Sequence, residues 1–203
     1  MVRKPGTSVF SGVAVVIWLL AVSSGVAALW SYSYRSSVQD TSVSVWPADT
    51  KLVHDTTRPA LVVFVHPQCP CTRATLSQLQ AVRQLSHVPF RLLVTVCQPQ
   101  SGQPWRRTRL QQQAAQLHPD VLADDPGGRE AQRFGADCSG TCLLFSANGR
   151  LLFRGGITES RGHAGACVGS QQLLASLNDS ADGRQRAGVS ENPVYGCSLV
   201  SSN

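Results

Sequence analysis

The residues most able to do chemistry are seven cysteines, two of which form the triplet Cys69-Pro70-Cys71. Two thiols this close can exchange an external disulfide for an internal one, with Pro70 holding the turn. The one-residue spacer makes a tight ring, so we expect its disulfide to be strained and comparatively oxidising. Either sulfur could attack a partner. We take Cys69, because it lies nearer the preceding strand, and assign the resolving step to Cys71.

The elements around this triplet predict a place where a thiol becomes acidic. Residues 60–66 (ALVVFVH) form a continuous apolar run rich in β-branched side chains, which is typical of a strand buried on both faces. After the triplet, Leu76, Leu79 and Val82 recur at three- and four-residue spacings and predict an amphipathic helix. The cysteines therefore end a strand and begin a helix, where backbone N–H groups and the helix dipole stabilise a thiolate.

The rest of the chain predicts a mixed α/β sheet with helices on both faces. The turn at Asn148-Gly149 indicates an antiparallel hairpin between two of the strands. The further elements follow in the order of an α/β domain. We expect strands at 90–97, 121–123, 141–145 and 151–154, and helices at 105–117, 128–134 and 171–177.

An uncharged segment, 7–34, precedes this domain, and its apolar part at 9–30 is 22 residues long. A helix of that length spans a hydrocarbon core of roughly 30 Å. Arg3 and Lys4 precede it, so the positive-inside rule predicts a cytoplasmic N-terminus and an exported domain. A cleaved signal peptide, with small residues at 26–28, is the alternative. Either outcome places the cysteines where disulfides persist.

These features divide the chain into five segments. The segment after the helix is rich in Ser, Thr and Asp, which suits a tether with a possible first short strand. We expect a cytoplasmic tip at 1–8, the transmembrane helix or signal anchor at 9–30, the tether at 31–57, one domain at 58–178 and a polar tail with Cys197 at 179–203.

Charge gives no reason to expect a nucleic-acid partner. The formal net charge of +6 is a mild excess made up mostly of scattered arginine. The densest basic cluster is Arg106, Arg107 and Arg109, without the broad basic face and interleaved aromatic residues of a nucleic-acid site.

Two histidines and three further cysteines are candidates for chemistry or packing. His66 directly precedes the cysteine turn and could stabilise a thiolate or cap the strand end. His163 lies in a Gly-rich loop without neighbouring large apolar residues, so packing does not account for it and a catalytic role is the alternative. Cys97 ends a predicted strand, and we expect an inert core thiol. Cys167 and Cys197 are expected to form a bridge that ties the tail down.

The order of strand, cysteine turn, helix, strand, helix and hairpin resembles thioredoxin-like proteins over residues 58–178. Three strings, at 66–71 (HPQCPC), 155–163 (GGITESRGH) and 195–197 (YGC), more closely resemble the RedB-type thioredoxin-like proteins of bacteria. The resemblance implies a three-layer α/β/α sandwich. It further implies a cofactor-free thiol–disulfide oxidoreductase in the inner membrane, whose periplasmic or extracellular domain acts on a partner bearing a thiol or disulfide.

The chain departs from ordinary thioredoxins at two points. The cysteines are spaced Cys-x-Cys instead of Cys-x-x-Cys, and Gly140 stands where those proteins carry a cis-proline. The resemblance implies that Gly140 and Thr141 contact an extended substrate, since glycine allows close backbone approach. It also places this loop against the cysteine turn. Cys138 and Cys142, which flank the loop, are then a second redox pair, a structural disulfide or two independent buried thiols.

Two other functions remain open at the level of sequence. Cys69, Cys71 and His163 could bind Cu(I), because soft thiolates favour that ion. Alternatively, Cys69 alone could reduce a peroxide through a sulfenic acid.

Overall fold

The computed structural model describes residues 7–36, 42–98, 109–181 and 188–199, which divide into two units, Met1–Arg35 and Ser36–Asn203. The first unit is one helix, α1 (Thr7–Ser33). Within it, Ser11–Ser33 has a mean hydropathy of 2.3 and is long and apolar enough to cross a membrane, a test that a signal sequence also passes. Arg3 and Lys4 lie outside the described residues.

The second unit is built on a six-stranded mixed sheet in the order β3-β2-β1-β4-β5-β6. Its strands are β1 (Ala60–Val65), β2 (Arg91–Gln98), β3 (Val121–Pro126), β4 (Thr141–Phe145), β5 (Leu151–Gly155) and β6 (Ser190–Asn192). Its helices are α2 (Pro70–Leu85), α3 (Arg109–Gln116), α4 (Arg129–Arg133) and α5 (Val168–Ala181). Residues 105–108 of the predicted third helix, with Arg106 and Arg107, lie outside the described residues.

Parallel and antiparallel pairing meet at the central strand β1. It pairs in parallel with β2, through the crossover that contains α2, and antiparallel with β4. β3 continues the parallel side, while β5 pairs antiparallel with β4 as the Asn148-Gly149 turn predicts. The carboxyl end of β1, where the cysteine turn begins, therefore lies in the middle of the sheet.

Successive residues of β1 face opposite sides of the sheet and seed two cores. Val63 packs with Leu76 and Leu79 of α2 and Leu173 of α5 on one side. On the other side Phe64 packs in a cluster of buried apolar residues that includes Phe134, after α4, and the β4 residue Phe145. Helices thus cover both faces, and the predicted three-layer α/β/α sandwich is confirmed.

Segments on either side of 58–178 also join the domain. Trp46 stacks edge-on against Phe134 and Phe145, and its backbone N–H donates to the Gly149 carbonyl at 2.8 Å. Leu52 is buried in the same core. At the other end, β6 pairs in parallel with β5. Residues 42–57 of the tether and the described part of the tail are therefore structural neighbours of the hairpin.

Candidate functional site: three cysteines at the start of α2

The cysteine turn is closed by local backbone hydrogen bonds. Cys69 is the N-cap residue of α2, and Pro70 takes the first helical position, where a missing N–H costs nothing. The Cys69 N–H donates to the His66 carbonyl, and the Cys69 carbonyl accepts from Thr72, each at 3.1 Å. The side chain of Cys69 is 1% exposed and that of Cys71 is 7% exposed. Both sulfurs therefore lie beneath the protein surface.

A third cysteine, which the sequence analysis assigned to a different partner, meets this turn. The Sγ atoms of Cys69 and Cys197 lie 2.9 Å apart, although 128 residues separate them in the chain. Cys197 is half-buried and arrives on the tail after β6. All seven cysteines lie within the described residues, and each is a free thiol.

The tail reaches this position by pairing with the loop before β4. Ser139 donates its N–H to the Cys197 carbonyl at 2.8 Å, and Leu199 donates its N–H to the Asp137 carbonyl at 2.9 Å. Between these bonds, Cys138 and Ser198 form an antiparallel bridge. The tail is thus a short strand added to the loop that faces the cysteine turn.

The electrostatics favour ionisation of Cys69 over the other two thiols. A hydrogen bond from the Cys71 thiol is the largest of the effects that lower the pKa of Cys69 to about 4, against an ordinary value of 9.0. Burial opposes this shift, and the thiol and backbone N–H of Cys197 add to it. Cys69 is accordingly a thiolate at neutral pH, held by donors on both sides.

The two donor thiols have the opposite behaviour. The hydrogen bond to Cys69, then burial, raises the pKa of Cys71 far above its ordinary value. Burial, then the hydrogen bond to Cys69, raises the pKa of Cys197 to about 11. The three thiols therefore carry one negative charge between them, and it lies on Cys69, with Cys71 and Cys197 protonated.

Arg161 is a second residue whose place the sequence analysis missed. Its Nη1 donates to the Gly196 carbonyl at 2.7 Å, next to Cys197. Its positive charge opposes the upward pKa shifts of Cys71 and Cys197. Arg161 therefore contacts the tail and makes the thiols of Cys71 and Cys197 easier to ionise.

His66 directly precedes the cysteine turn, and a role of its side chain in stabilising a thiolate stays a prediction. Its backbone N–H donates to Ser139 Oγ at 2.9 Å, and its Nδ1 accepts from the Gln68 N–H at 3.2 Å. Burial lowers the pKa of His66, and the negative charge of Cys69 partly opposes this. A neutral imidazole that fixes the turn fits this environment better than an imidazolium.

The loop expected to contact a substrate packs against α2. Gly140 has φ +95°, donates its N–H to the Phe64 carbonyl at 2.8 Å, and would bring a Cβ within 2.9 Å of Thr75 Oγ1. Thr141 is buried and donates its Oγ1 hydrogen to the Cys138 carbonyl at 2.7 Å. Substrate contact by Gly140 and Thr141 stays a prediction. In this structure the tail pairs with the neighbouring Ser139.

The remaining cysteines form no disulfides, which for Cys138 and Cys142 is among the alternatives left open by the sequence. Cys138 and Cys142 form no disulfide: Cys138 lies near Cys197, while burial and then the charge of Cys167 raise the pKa of Cys142. The expected bridge between Cys167 and Cys197 is wrong, because both are free thiols and the Cys197 sulfur lies beside Cys69. Cys167 precedes α5, with its sulfur 3.6 Å from Ser170 Oγ.

Cys97 has the surroundings of a core thiol. It is buried, and its sulfur lies 3.6 Å from the Asp125 carboxylate. Burial and then that negative charge raise the pKa of Cys97, so it stays protonated.

The predicted Cu(I) ligand set is not assembled. His163 is exposed, and its Nδ1 lies 2.9 Å from both Ser160 Oγ and the Arg161 carbonyl oxygen. Across the described ranges, which include Cys69, Cys71 and His163, no group of three or more His, Cys, Asp or Glu residues is arranged to hold a metal ion.

Comparison with known proteins finds similar folds and no assigned family. No family model and no curated protein matches the chain. An uncharacterized conserved protein from Geobacillus kaustophilus is 15% identical with a TM-score of 0.57, over 84% of this chain and 95% of that one. A hypothetical protein from Sinorhizobium meliloti 1021 is 17% identical with a TM-score of 0.58, over 81% and 97%. These likenesses concern the fold alone.

The topology itself identifies the fold class. A cysteine turn between β1 and α2, a parallel β2, and an antiparallel β4–β5 pair before the closing helix α5 are arranged as in thioredoxin-like proteins. The fold is thioredoxin-like. An uncharacterized thioredoxin-like protein from Porphyromonas gingivalis is 16% identical with a TM-score of 0.44, over 76% of this chain and 99% of that one. The finer RedB-type assignment stays a prediction.

The three strings behind that resemblance meet at one place. Gly155 and Gly156 leave room for Asn192 and Pro193 of the tail, because a Cβ on either glycine would overlap or crowd the tail backbone. Arg161 then contacts Gly196. The sequence signal for the position of Cys197 was therefore the joint presence of the three strings. No single string predicts that Cys197 lies beside Cys69.

Proposed function

We propose that this chain is a membrane-tethered thiol–disulfide oxidoreductase that acts outside the cytoplasm through Cys69-Pro70-Cys71. The observation that carries the proposal is the environment of Cys69, which begins α2 and has a pKa lowered to about 4 by two neighbouring thiols. The thiolate is the attacking species in disulfide exchange.

The cycle begins with attack on a partner disulfide. Cys69 bonds to one partner sulfur, and the other leaves as a thiolate that takes a proton from solvent. Bonding removes the negative charge from Cys69. Since that charge and its hydrogen bond raise the pKa of Cys71, the Cys71 thiol becomes more acidic at this moment. Cys71 then attacks Cys69 Sγ and releases the partner as a second thiol, so two electrons pass to the partner.

The location of the site is part of the proposal. The helix Ser11–Ser33 supports a tether in a bacterial inner membrane, with the N-terminus in the cytoplasm and the domain on the periplasmic or extracellular side. An exported compartment lets disulfides form and persist, so it suits an exchange centre. The partner is a protein bearing a thiol or disulfide, and the proposed chemistry needs no cofactor.

A single-turnover assay tests the proposal. The reduced full-length chain in detergent is mixed with oxidised glutathione, and newly formed glutathione thiols are counted. We expect up to two thiols per chain, and none above background for Cys69→Ser. Cys97→Ser is the control, because Cys97 is buried beside Asp125 and should leave the yield unchanged. Full turnover by Cys69→Ser would contradict the proposal.

A further inference from the structure

The tail beside the cysteine turn carries a reactive group that the Cys-Pro-Cys cycle does not use. The geometry points to Cys197 as a second resolving cysteine for Cys69, carried on a tail strand that occupies the place a partner strand must take. This inference rests on the proposed exchange function and adds a third member to its site.

The sulfurs of Cys69 and Cys197 lie close to bonding distance. Bonded sulfurs lie about 2.05 Å apart, so the 2.9 Å separation of Cys69 and Cys197 leaves roughly 0.9 Å to close. A gap of this size is within the range of side-chain rotation. The two thiols are thus positioned to bond as soon as two electrons are removed.

The tail is anchored on both sides of Cys197. Before it, β6 pairs with β5, and the Asn192 side-chain amide donates to the Gly156 carbonyl at 2.9 Å. After it, Leu199 is buried in the core beside α4 and donates its N–H to Asp137. Specific contacts therefore fix the tail in this place.

Glycine at position 196 is a condition of this docking. A Cβ there would overlap the Ser139 carbonyl oxygen, so only glycine lets the two backbones approach this closely. The Gly196 carbonyl in turn accepts from Arg161. The sequence thus places its smallest residue directly before Cys197, where the strand must pass the loop.

The docked tail also limits access to Cys69. With the tail docked, Cys69 is 1% exposed, which is too little for a protein disulfide to approach the sulfur. The Ser139 N–H, a backbone donor beside the turn, is taken by Cys197. A partner strand must therefore displace the tail to reach Cys69, and the returning tail displaces the partner.

The chemical steps balance. Cys69 attacks the partner disulfide, bonds to one sulfur and releases the other, which takes a proton from solvent. The Cys197 thiol loses its proton to solvent and attacks Cys69 Sγ, forming the Cys69–Cys197 disulfide and releasing the second partner thiol. Two electrons have moved from Cys69 and Cys197 to the partner. Cys71 can then attack Cys69 and free Cys197 without net oxidation, and an external dithiol reductant restores the three thiols.

The decisive experiment follows the glutathione adduct on Cys69. Full-length chains in detergent react with oxidised glutathione, are quenched with acid at set times, and are mapped without reduction by mass spectrometry. In Cys71→Ser we expect the adduct to be replaced by a Cys69–Cys197 disulfide. In the double variant Cys71→Ser/Cys197→Ser the adduct should persist at least ten times longer. Equal lifetimes in the two variants would overturn the inference.

The same samples separate failure of the inference from failure of the proposed function. If Cys69 forms a glutathione adduct in every variant that retains it, but never the bond to Cys197, exchange stands and the role of Cys197 fails. If Cys69 forms no adduct in any variant, the exchange function itself fails. In that case a Cys69–Cys197 bond formed with diamide would show only that the two thiols are adjacent.

A pair of glycine variants tests the docking without touching a cysteine. Gly196→Ala should displace the tail and speed maleimide labelling of Cys69 at least tenfold. Gly188→Ala, in the same tail but with open space around its Cβ, is the matched control and should label like the unmodified chain. If both variants label at the same rate as the unmodified chain, the tail does not cover the site.

Discussion

The acidity of Cys69 predicts a pH profile that no ordinary thiol shows. With an ordinary pKa of 9.0, about 1% of a thiol is ionised at pH 7, whereas with a pKa of about 4 nearly all of it is. Between pH 6 and 8 the alkylation rate of an ordinary thiol therefore rises about tenfold per pH unit. The rate of Cys69 should stay flat over the same range, because its thiolate fraction is already complete.

The ratio of the Cys69 alkylation rate to that of an ordinary thiol depends on pH, because the thiolate of a more acidic thiol is also a weaker nucleophile. A Brønsted coefficient of 0.4–0.5 over about five pKa units lowers the intrinsic rate by roughly 100- to 300-fold. At pH 7 this loss nearly cancels the gain in thiolate. At pH 5 the gain is about 10,000-fold, so Cys69 should keep a net advantage of roughly 30- to 100-fold over a thiol with a pKa of 9.0 that is equally accessible.

The assay is alkylation by iodoacetamide at pH 3 to 9, with Cys69 followed by peptide mass spectrometry. Partial cover by the tail scales the whole curve and leaves its shape unchanged. Cys71→Ala should move the midpoint upward most, since the Cys71 hydrogen bond is the largest cause of the shift, and Cys197→Ala should move it less. Cys97→Ala should not move it. A Cys69 rate that still rises tenfold per unit between pH 6 and 8 would refute the reasoning.

Three further predictions concern stability, measured by urea unfolding of the reduced chain. Gly140→Ala should cost about 1–3 kcal/mol, because its φ of +95° strains any side chain and the new Cβ would press on α2, whereas Gly149→Ala, with φ +81° and only ordinary contacts, should cost less. Asp125→Ala should cost about 1–2 kcal/mol, because its buried carboxylate accepts the first N–H groups of α4 at 3.0 Å; exposed Asp124→Ala is the control. Burial raises the pKa of Cys142 above its value in the unfolded chain, about 9, so the folded state keeps a proton that the unfolded state loses at high pH. The free energy of unfolding should therefore fall as pH rises above about 9, by up to 1.4 kcal/mol per pH unit from this group. Cys142→Ala should make that fall with pH less steep.

The central part of the fold could be predicted because its signals are local. The apolar run at 60–66 is long enough to show a buried strand, and β1 occupies Ala60–Val65. Pro70 marks the first helical residue, and the spacing of Leu76 and Leu79 shows which face of α2 enters the core. Each of these features is decided by neighbours within one or two turns of chain, so composition and spacing suffice.

The contribution of the tether could not be predicted from composition. Residues 31–57 are polar on average, yet the few apolar side chains among them, including Trp46 and Leu52, enter the core beside α4. Thr50 also holds the segment, because its hydroxyl donates to Oε2 of Glu130 while Arg133 donates to Oε1 of the same carboxylate. Such polar contacts join residues about 80 positions apart. Neither the tether nor the segment around α4 has a periodic pattern that predicts these contacts.

The position of Cys197 follows from the same physics and explains why the Cys-x-Cys spacing is workable. Cys69, at the N-cap, and Cys71, two residues on, can share a hydrogen bond, but the one-residue spacer makes their disulfide a tight ring. Cys197 approaches from a separate strand, so bonding to Cys69 closes no small ring. In the proposed cycle the disulfide can lie in either pair, and a Cys69–Cys197 bond would keep the tail docked. If the proposal holds, the short spacer lets Cys71 lower the pKa of Cys69, while Cys197 supplies a bond that avoids the tight ring.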